Sequence, residues 1–340
     1  MNVIQDEVST LAGSFCPDFL NSKSILITGA SGLVGTYLLE FFQQIQQTRV
    51  SNIQLFASTL TGDFVSRLSK DTHVIRGDIS DISFIEKLPN FDIIIHAAGY
   101  AQPGKFLIDP VKTLRINSDS TSRLMEKMNK GGRFLFISSS EVYSGLKNPP
   151  FSEEQIGLTN TNHPRAAYIE GKRAGEALVS IANRVGDFMA SSVRLSLAYG
   201  PGTKFDDSRV MSHFINQALS NSKITLRDAG TSWRTYGYIT DLIELCLNVL
   251  SKGNDDVYNV GGVSRIQILD LAKLIAEKTN SKIILSDSSN SYLAGAPDDV
   301  WLNLEKVLLL AEKVDFIDIG TGLDRTIEWQ RMQSESRKFS

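Results

Sequence analysis

Tyr168-Ile169-Glu170-Gly171-Lys172 sets a phenol and an ammonium four residues apart, the spacing that puts two side chains on one face of a helix. Ser138-Ser139-Ser140 closes an apolar, strand-like run upstream. Together the three groups make a proton-transfer set. The cation favours phenolate, the tyrosine exchanges a proton with an alcohol as hydride moves, and a serine hydroxyl orients the alcohol oxygen. Oxidation at a carbinol, or its reversal, is the chemistry such a set serves.

A hydride carrier has a matching signal. Thr28-Gly29-Ala30-Ser31-Gly32-Leu33-Val34-Gly35 spaces glycines three apart between the apolar run Ser24–Thr28 and a helical pattern at residues 38–42. One glycine permits the turn, another lets backbone approach a pyrophosphate, and the last lets helix and strand pack closely with the helix N-terminus facing the anion. Gly29, Ser31, Gly32, Leu33, Val34 and Gly35 are therefore candidate cofactor contacts. After the fourth strand, His96-Ala97-Ala98-Gly99 offers small residues that leave room for a dinucleotide; His96 itself reads as a packed strand-end residue, and no metal site is expected.

The second strand should end in an acid that reads the adenosine ribose, but it finishes Phe56-Ala57-Ser58-Thr59. Ser58 is taken as a contact, NAD as the expected cofactor, and NADP is not excluded. Arg67 or Lys70 would reach a 2′-phosphate if either is not simply a solvated helix charge. Asp78 and Ile79, after the third strand, are candidates for the adenine, and Asn117, Tyr168 and Lys172 complete the expected cofactor set.

These residues need a scaffold. Strand-like runs at Ser24–Thr28, 53–57, 73–75, 92–96 and 133–138 alternate with helical patterns such as 110–128, followed by a helix over Ala166–Val185 and a strand over 188–196. That rhythm predicts an α/β fold, a Rossmann-type doubly wound parallel sheet with a smaller C-terminal α/β substrate-binding lobe. The expected divisions are a leader at 1–23, the dinucleotide-binding domain at 24–200, a mainly substrate-binding lobe at 201–333 with segments returning to the first domain, and a loose polar tail at 334–340.

Composition narrows the function classes. The chain has 340 residues, a formal charge of −3 and 42% hydrophobic residues, so it offers no positive field for nucleic acid or an anionic membrane surface. Two cysteines, Cys16 and Cys246, cannot make a disulfide framework. The acidic first segment lacks a signal-peptide pattern, and the apolar runs are strand-sized rather than membrane-sized. A cytoplasmic protein without nucleic-acid or membrane partners is the expectation.

Across residues 24 to about 330 the chain resembles the extended short-chain dehydrogenase/reductase family, whose members act on nucleotide sugars. Within it the chain is most similar to the UDP-glucuronate decarboxylases, through Asp109-Pro110-Val111-Lys112-Thr113, Ser139-Ser140-Glu141-Val142-Tyr143 and Pro164-Arg165-Ala166-Ala167-Tyr168-Ile169-Glu170-Gly171-Lys172-Arg173. Asp207-Ser208-Arg209-Val210 and Trp233-Arg234-Thr235-Tyr236-Gly237-Tyr238-Ile239-Thr240-Asp241 resemble that group's substrate-side motifs. The resemblance implies a nucleoside-diphosphate-sugar substrate, a homodimer, and a cycle in which Tyr168 removes the sugar 4-hydroxyl proton, hydride passes to the nicotinamide, a C5 carboxylate leaves as carbon dioxide and hydride returns.

The same resemblance implies that Ser139 holds the C4 oxygen, that Ser140 and Glu141 handle the sugar or the proton delivered to C5, and that Arg234 lies near the substrate carboxylate or the proton donor. Lys105 and Arg209 are expected on the substrate. Other roles compete: Glu141 as a capping acid, Ser140 as a turn residue, and Arg234 paired with Asp241 or a diphosphate. The pattern also departs from the family. Ser140 stands where a 4,6-dehydratase has an aspartate, Leu197-Ala198-Tyr199-Gly200-Pro201 lacks an asparagine before its Tyr-Gly-Pro, Lys105-Phe106 replaces Asn-Tyr, and Ala296 replaces a basic residue before Pro297-Asp298. A 4-epimerase, 4-ketoreductase or 4,6-dehydratase on the same scaffold is the alternative within the class; a cofactor sensor without turnover is the alternative outside it.

Overall fold

The computed structural model describes residues 3–15, 18–50, 52–285 and 299–338. In chain order the strands are β1 (Ser24–Thr28), β2 (Gln54–Thr59), β3 (Thr72–Arg76), β4 (Phe91–His96), β5 (Met128–Ser139), β6 (Met189–Leu195), β7 (Leu197–Tyr199), β8 (Lys223–Leu226), β9 (Trp233–Tyr238), β10 (Val257–Val260), β11 (Ser264–Gln267) and β12 (Lys282–Leu285). Seven of them form a parallel sheet in the order β3-β2-β1-β4-β5-β6-β10. A parallel sheet is covered on both faces, which is why its central strands are continuous apolar runs: Ile25, Leu26 and Ile27 are all fully buried.

Register fixes where chemistry can occur. Thr28 pairs with both Ser58 and His96, and Ser139 pairs with Leu195, so the carboxyl ends of β1, β2, β4, β5 and β6 meet along one edge. Strand order reverses between β1 and β4, the place where an open α/β sheet leaves a ligand crevice. The helix Ala166–Val185 packs on this sheet through Ile169, Val179 and Ala182 and presents its first turns to that edge.

Three expectations about elements change. The pattern at 110–128 is two helices, Pro110–Asn117 and Asp119–Met125, with β5 already under way at Met128. Ser118 separates them: its hydroxyl bonds the Leu114 carbonyl, a local side-chain bond that competes with continuous helix. The expected leader contains a helix, Val3–Ser14, whose Ile4, Val8 and Leu11 enter the main core. Its Glu7 accepts hydrogen bonds from Tyr37 at 2.8 Å and Tyr238 at 2.5 Å, tying it to both halves of the chain.

The expected loose tail is likewise helical as far as Lys338, because Ile319–Lys338 is one helix held down by Leu323, Ile327 and Trp329. Beyond Pro201 the chain also returns to the large sheet, where β10 pairs with β6. The rest of the C-terminal part is a β11-β9-β7 sheet and a β12-β8 pair, with helices Val210–Asn221 and Ile268–Thr279 contributing Phe214, Ile215, Leu271 and Ile275 to the shared core. Cys246 is buried in that core, which pushes its thiol up to about 12; Cys16 and Ala296-Pro297-Asp298 lie outside the described residues. Among the described residues, no helix is long and apolar enough to cross a membrane.

Candidate active site

A cavity opens along the carboxyl edge of the large sheet. One end is built from backbone and small side chains. Gly29 takes a left-handed φ of 66°, and a Cβ there would lie 2.7 Å from the Ala98 backbone. A Cβ on Gly35 would lie 2.2 Å from the Gly29 carbonyl oxygen, so the β1 turn and the following helix approach as only glycine allows. The helix Leu33–Thr48 starts at Gly32 without a side-chain cap, and Leu33, Val34 and Gly35 line the cavity. Uncapped amide groups at a helix N-terminus suit an anion, and this cradle fits the diphosphate of a dinucleotide.

Ser31, Ser58, Asp78, Ile79, Ala97, Ala98 and Gly99 also line this end. The Ser31 hydroxyl lies 2.9 Å from that of Thr59. Burial alone would raise the Asp78 carboxyl, but hydrogen bonds from Lys112, at 2.5 Å, and from Ser80 hold it below the ordinary range. Arg67 and Lys70 are not part of the lining.

Asn117, expected on the cofactor, is one layer back. It is fully buried, its amide donates to the Thr113 carbonyl at 2.8 Å, and its Oδ1 faces Gly99 with no partner among the described residues. The α-helix containing it packs on the helix Ala166–Val185 near Gly171, which draws the side chain behind the wall. His96 is the packed residue expected: Nε2 donates to the Ile116 carbonyl at 3.0 Å, leaving Nδ1 to accept from Thr28 at 2.7 Å. Burial pushes its pKa down to about 4, so it stays neutral. Among the described residues, no group of three His, Cys, Asp or Glu is placed to hold a metal.

The other end carries the titratable groups. Ser139, Ser140, Glu141, Tyr168 and Lys172 all line it. Tyr168 is 6% exposed, and the Phe106 ring stacks on its own at 4.7 Å and 9°. Burial, aided by the Glu141 charge, pushes the phenol up to about 12, while Ser139, Arg165 and Arg209 pull the other way.

Lys172 is not among the leading influences on this phenol. Its Nζ donates to the Ile137 carbonyl at 2.7 Å and lies 5.8 Å from the Tyr168 ring centroid. Burial holds the ammonium down to about 7 against the opposing pull of Glu176, because one carbonyl replaces water poorly.

The charged groups of this end are mostly paired. Arg165 grips both oxygens of Glu141, through Nε at 2.8 Å and a second, shorter contact from Nη2, and its guanidinium lies 5.0 Å from the Phe106 ring. Glu141 is thus held by Arg165 on both oxygens. Arg209 lines the cavity while held by Asp207 at 2.6 Å and 3.0 Å; Lys105 also lines it, exposed, on the short helix Pro103–Phe106.

Arg234 departs from expectation. It is not part of the lining, and its Nη1 donates to the Trp233 carbonyl at 2.6 Å. Its alternative partner Asp241 is bound instead by Lys313 at 3.1 Å and by the Ile317 amide at 3.0 Å. The sequence does not single out Arg165 as a site residue, although its place three before Tyr168 sets it at the N-cap of the same helix. Nor does it single out Thr203, Lys204 and Asp207, which line the cavity from the loop after β7.

A phenol, an ammonium and a hydroxyl at one end of a cavity, with a glycine cradle at a helix N-terminus at the other, define the short-chain dehydrogenase class of dinucleotide-binding protein. The chain belongs to the NAD dependent epimerase/dehydratase family, whose sequence pattern matches residues 25–261. It is 28% identical over 319 residues to UDP-glucuronic acid decarboxylase 1 of Xenopus tropicalis, covering 92% of this chain and 73% of that one.

Two solved structures share the fold. An epimerase of Methanothermobacter thermautotrophicus superposes with a TM-score of 0.79 at 18% identity, covering 99% of this chain and 98% of that one. UDP-glucuronic acid 4-epimerase of Bacillus cereus, in complex with UDP-glucuronic acid and NAD, has a TM-score of 0.74 at 21% identity, covering 91% and 99%.

Proposed function

We propose that the chain oxidises and re-reduces C4 of a nucleoside-diphosphate sugar with NAD, and that the net reaction is decarboxylation of UDP-glucuronate. The observation that carries the reading is that Tyr168, Ser139 and Lys172 line the same cavity as the glycine cradle. The similarity to UDP-glucuronic acid decarboxylases over most of the chain supports the choice of substrate.

When bound, NAD supplies the hydride acceptor and a positive ring that favours phenolate. Ser139 holds the C4 oxygen, and Tyr168 takes the hydroxyl proton as the C4 hydrogen leaves as hydride. The C4 ketone then accepts the electron pair of the C5–carboxylate bond, carbon dioxide departs, and a proton is added at C5. Tyr168 returns its proton to the C4 oxygen during re-reduction, a step suited to a phenol that burial and Glu141 keep protonated. Ser140 offers a hydroxyl where dehydration would need a carboxylic acid, which supports decarboxylation over loss of water. Lys105 and Arg209 are the cations for the substrate's charged groups.

A protonated phenol also suits net reduction of a 4-keto sugar, the second reading. Purified protein given UDP-glucuronate should release carbon dioxide and yield a UDP-pentose by mass spectrometry without added reduced cofactor. A product of unchanged mass would make it an epimerase, and a requirement for added reduced cofactor would make it a reductase. The reading includes a homodimer: helices Pro110–Asn117 and Ala166–Val185 leave Val111, Leu114, Ile181 and Val185 exposed, and light scattering checks the mass.

A further inference from the structure

We infer that the adenosine-ribose end of the cavity takes a ribose 2′-phosphate, so that NADP(H) binds alongside NAD(H), with Arg76 as the cation that meets it. This rests on the dinucleotide site and not on which sugar is turned over. Discrimination against a 2′-phosphate normally comes from a carboxylate at the end of β2, which hydrogen-bonds the ribose and repels the added charge. Here that position is hydroxylic. Ser31, Ser58, Thr59 and Thr61 line this end of the cavity, together with Leu60 and Gly77. Asp63, the next carboxylate along the chain, is exposed and not part of the lining, and Asp78 is neutralised by Lys112.

A cation is in place beside these hydroxyls. Register sets Arg76, the last residue of β3, next to Thr59, the last residue of β2. The guanidinium lies against the turn that follows: a Cβ on Gly62 would be 2.9 Å from Arg76 Nε and 3.1 Å from its Cζ. Gly62 takes a left-handed φ of 78°, and its amide donates to the Thr59 hydroxyl at 3.2 Å, so the turn is folded back onto the strand end. Among the described residues Arg76 makes no ion pair. Arg76 is exposed and is not itself part of the lining, but it borders the lining residues Thr59, by strand register, and Gly77, by sequence; a planar guanidinium there without a carboxylate is matched chemically by a phosphate.

Titration calorimetry of the wild-type protein with NADH and NADPH tests this without reference to turnover. The expected result is that NADPH binds within about tenfold of NADH, with the steeper dependence on salt. Arg76→Ala should weaken NADPH by about tenfold and leave NADH within about twofold, and Thr59→Asp should act in the same direction by restoring repulsion. Circular dichroism confirms that each variant is folded, and Arg76→Gln serves if the alanine variant is not. Wild-type discrimination against NADPH greater than about tenfold, or an arginine variant that weakens both cofactors equally, overturns the inference while leaving the NAD site intact. If neither cofactor binds, the dinucleotide reading falls with it.

Discussion

The two ends of the cavity are built by different means. The cofactor end is backbone: glycines that must stay bare, an uncapped helix N-terminus and small residues at strand ends. The sugar end is side chain, and its charges are largely spent on one another, Glu141 on Arg165 and Asp207 on Arg209. A backbone site recognises what all dinucleotides share, whereas a paired side-chain site can be retuned by altering one partner. That contrast accounts for a scaffold common to several reactions and for a sugar end that must be tested residue by residue.

The largest effect should come from the sugar end. Tyr168→Phe removes the proton that every version of the chemistry needs, so turnover should fall by about 10² to 10⁴ while circular dichroism and cofactor binding stay as in wild type. Unchanged turnover would show that the stacked, buried phenol is structural. Glu141→Gln is next: losing the carboxylate removes a charge that raises Tyr168, so the phenol should ionise at lower pH in an ultraviolet titration, with about tenfold slower turnover. A titration identical to wild type would mean that Glu141 acts on Arg165 alone.

At the cofactor end the expected effect is smaller and affects binding more than rate. Gly35→Ala forces a Cβ against the Gly29 carbonyl and should cost about 1 to 3 kcal/mol of stability, with weaker NAD binding in calorimetry. A variant as stable and as tight-binding as wild type would remove the close-approach argument. Lys172 joins the two ends and gives a pH test. Its pKa is about 7 folded against 10.5 for the free side chain, so the unfolded chain binds the extra proton between those values. Stability should therefore rise with pH from about 7 towards 10 relative to Lys172→Met, read as melting temperature against pH.

The same contrast decides what was legible in the sequence. β1 and the helix Ala166–Val185 were read with their observed bounds, and the glycine turn between β1 and its helix was recognised, because apolar runs, turn glycines and helical spacing are local signals. The expected lining residues at the cofactor end lie there except Asn117, which tertiary packing moved behind Gly99. Partners were not legible. Arg165 meets Glu141 across 24 residues and Lys112 meets Asp78 across 34, so no spacing rule joins them. The N-terminal helix carries no local signal of its place, because Ile4, Val8 and Leu11 have meaning only in the assembled core and Glu7 only beside Tyr37 and Tyr238, far away in the chain.

Rapid mixing of NAD-loaded protein with UDP-glucuronate, followed by the absorbance of reduced cofactor, is the most direct test. The wild type should show reduced cofactor appear and then decay as product forms, and Tyr168→Phe should show neither phase. A tyrosine variant that reproduces the wild-type transient, or product formed by the wild type with no reduced cofactor at any time, would contradict proton transfer by Tyr168 coupled to oxidation at C4.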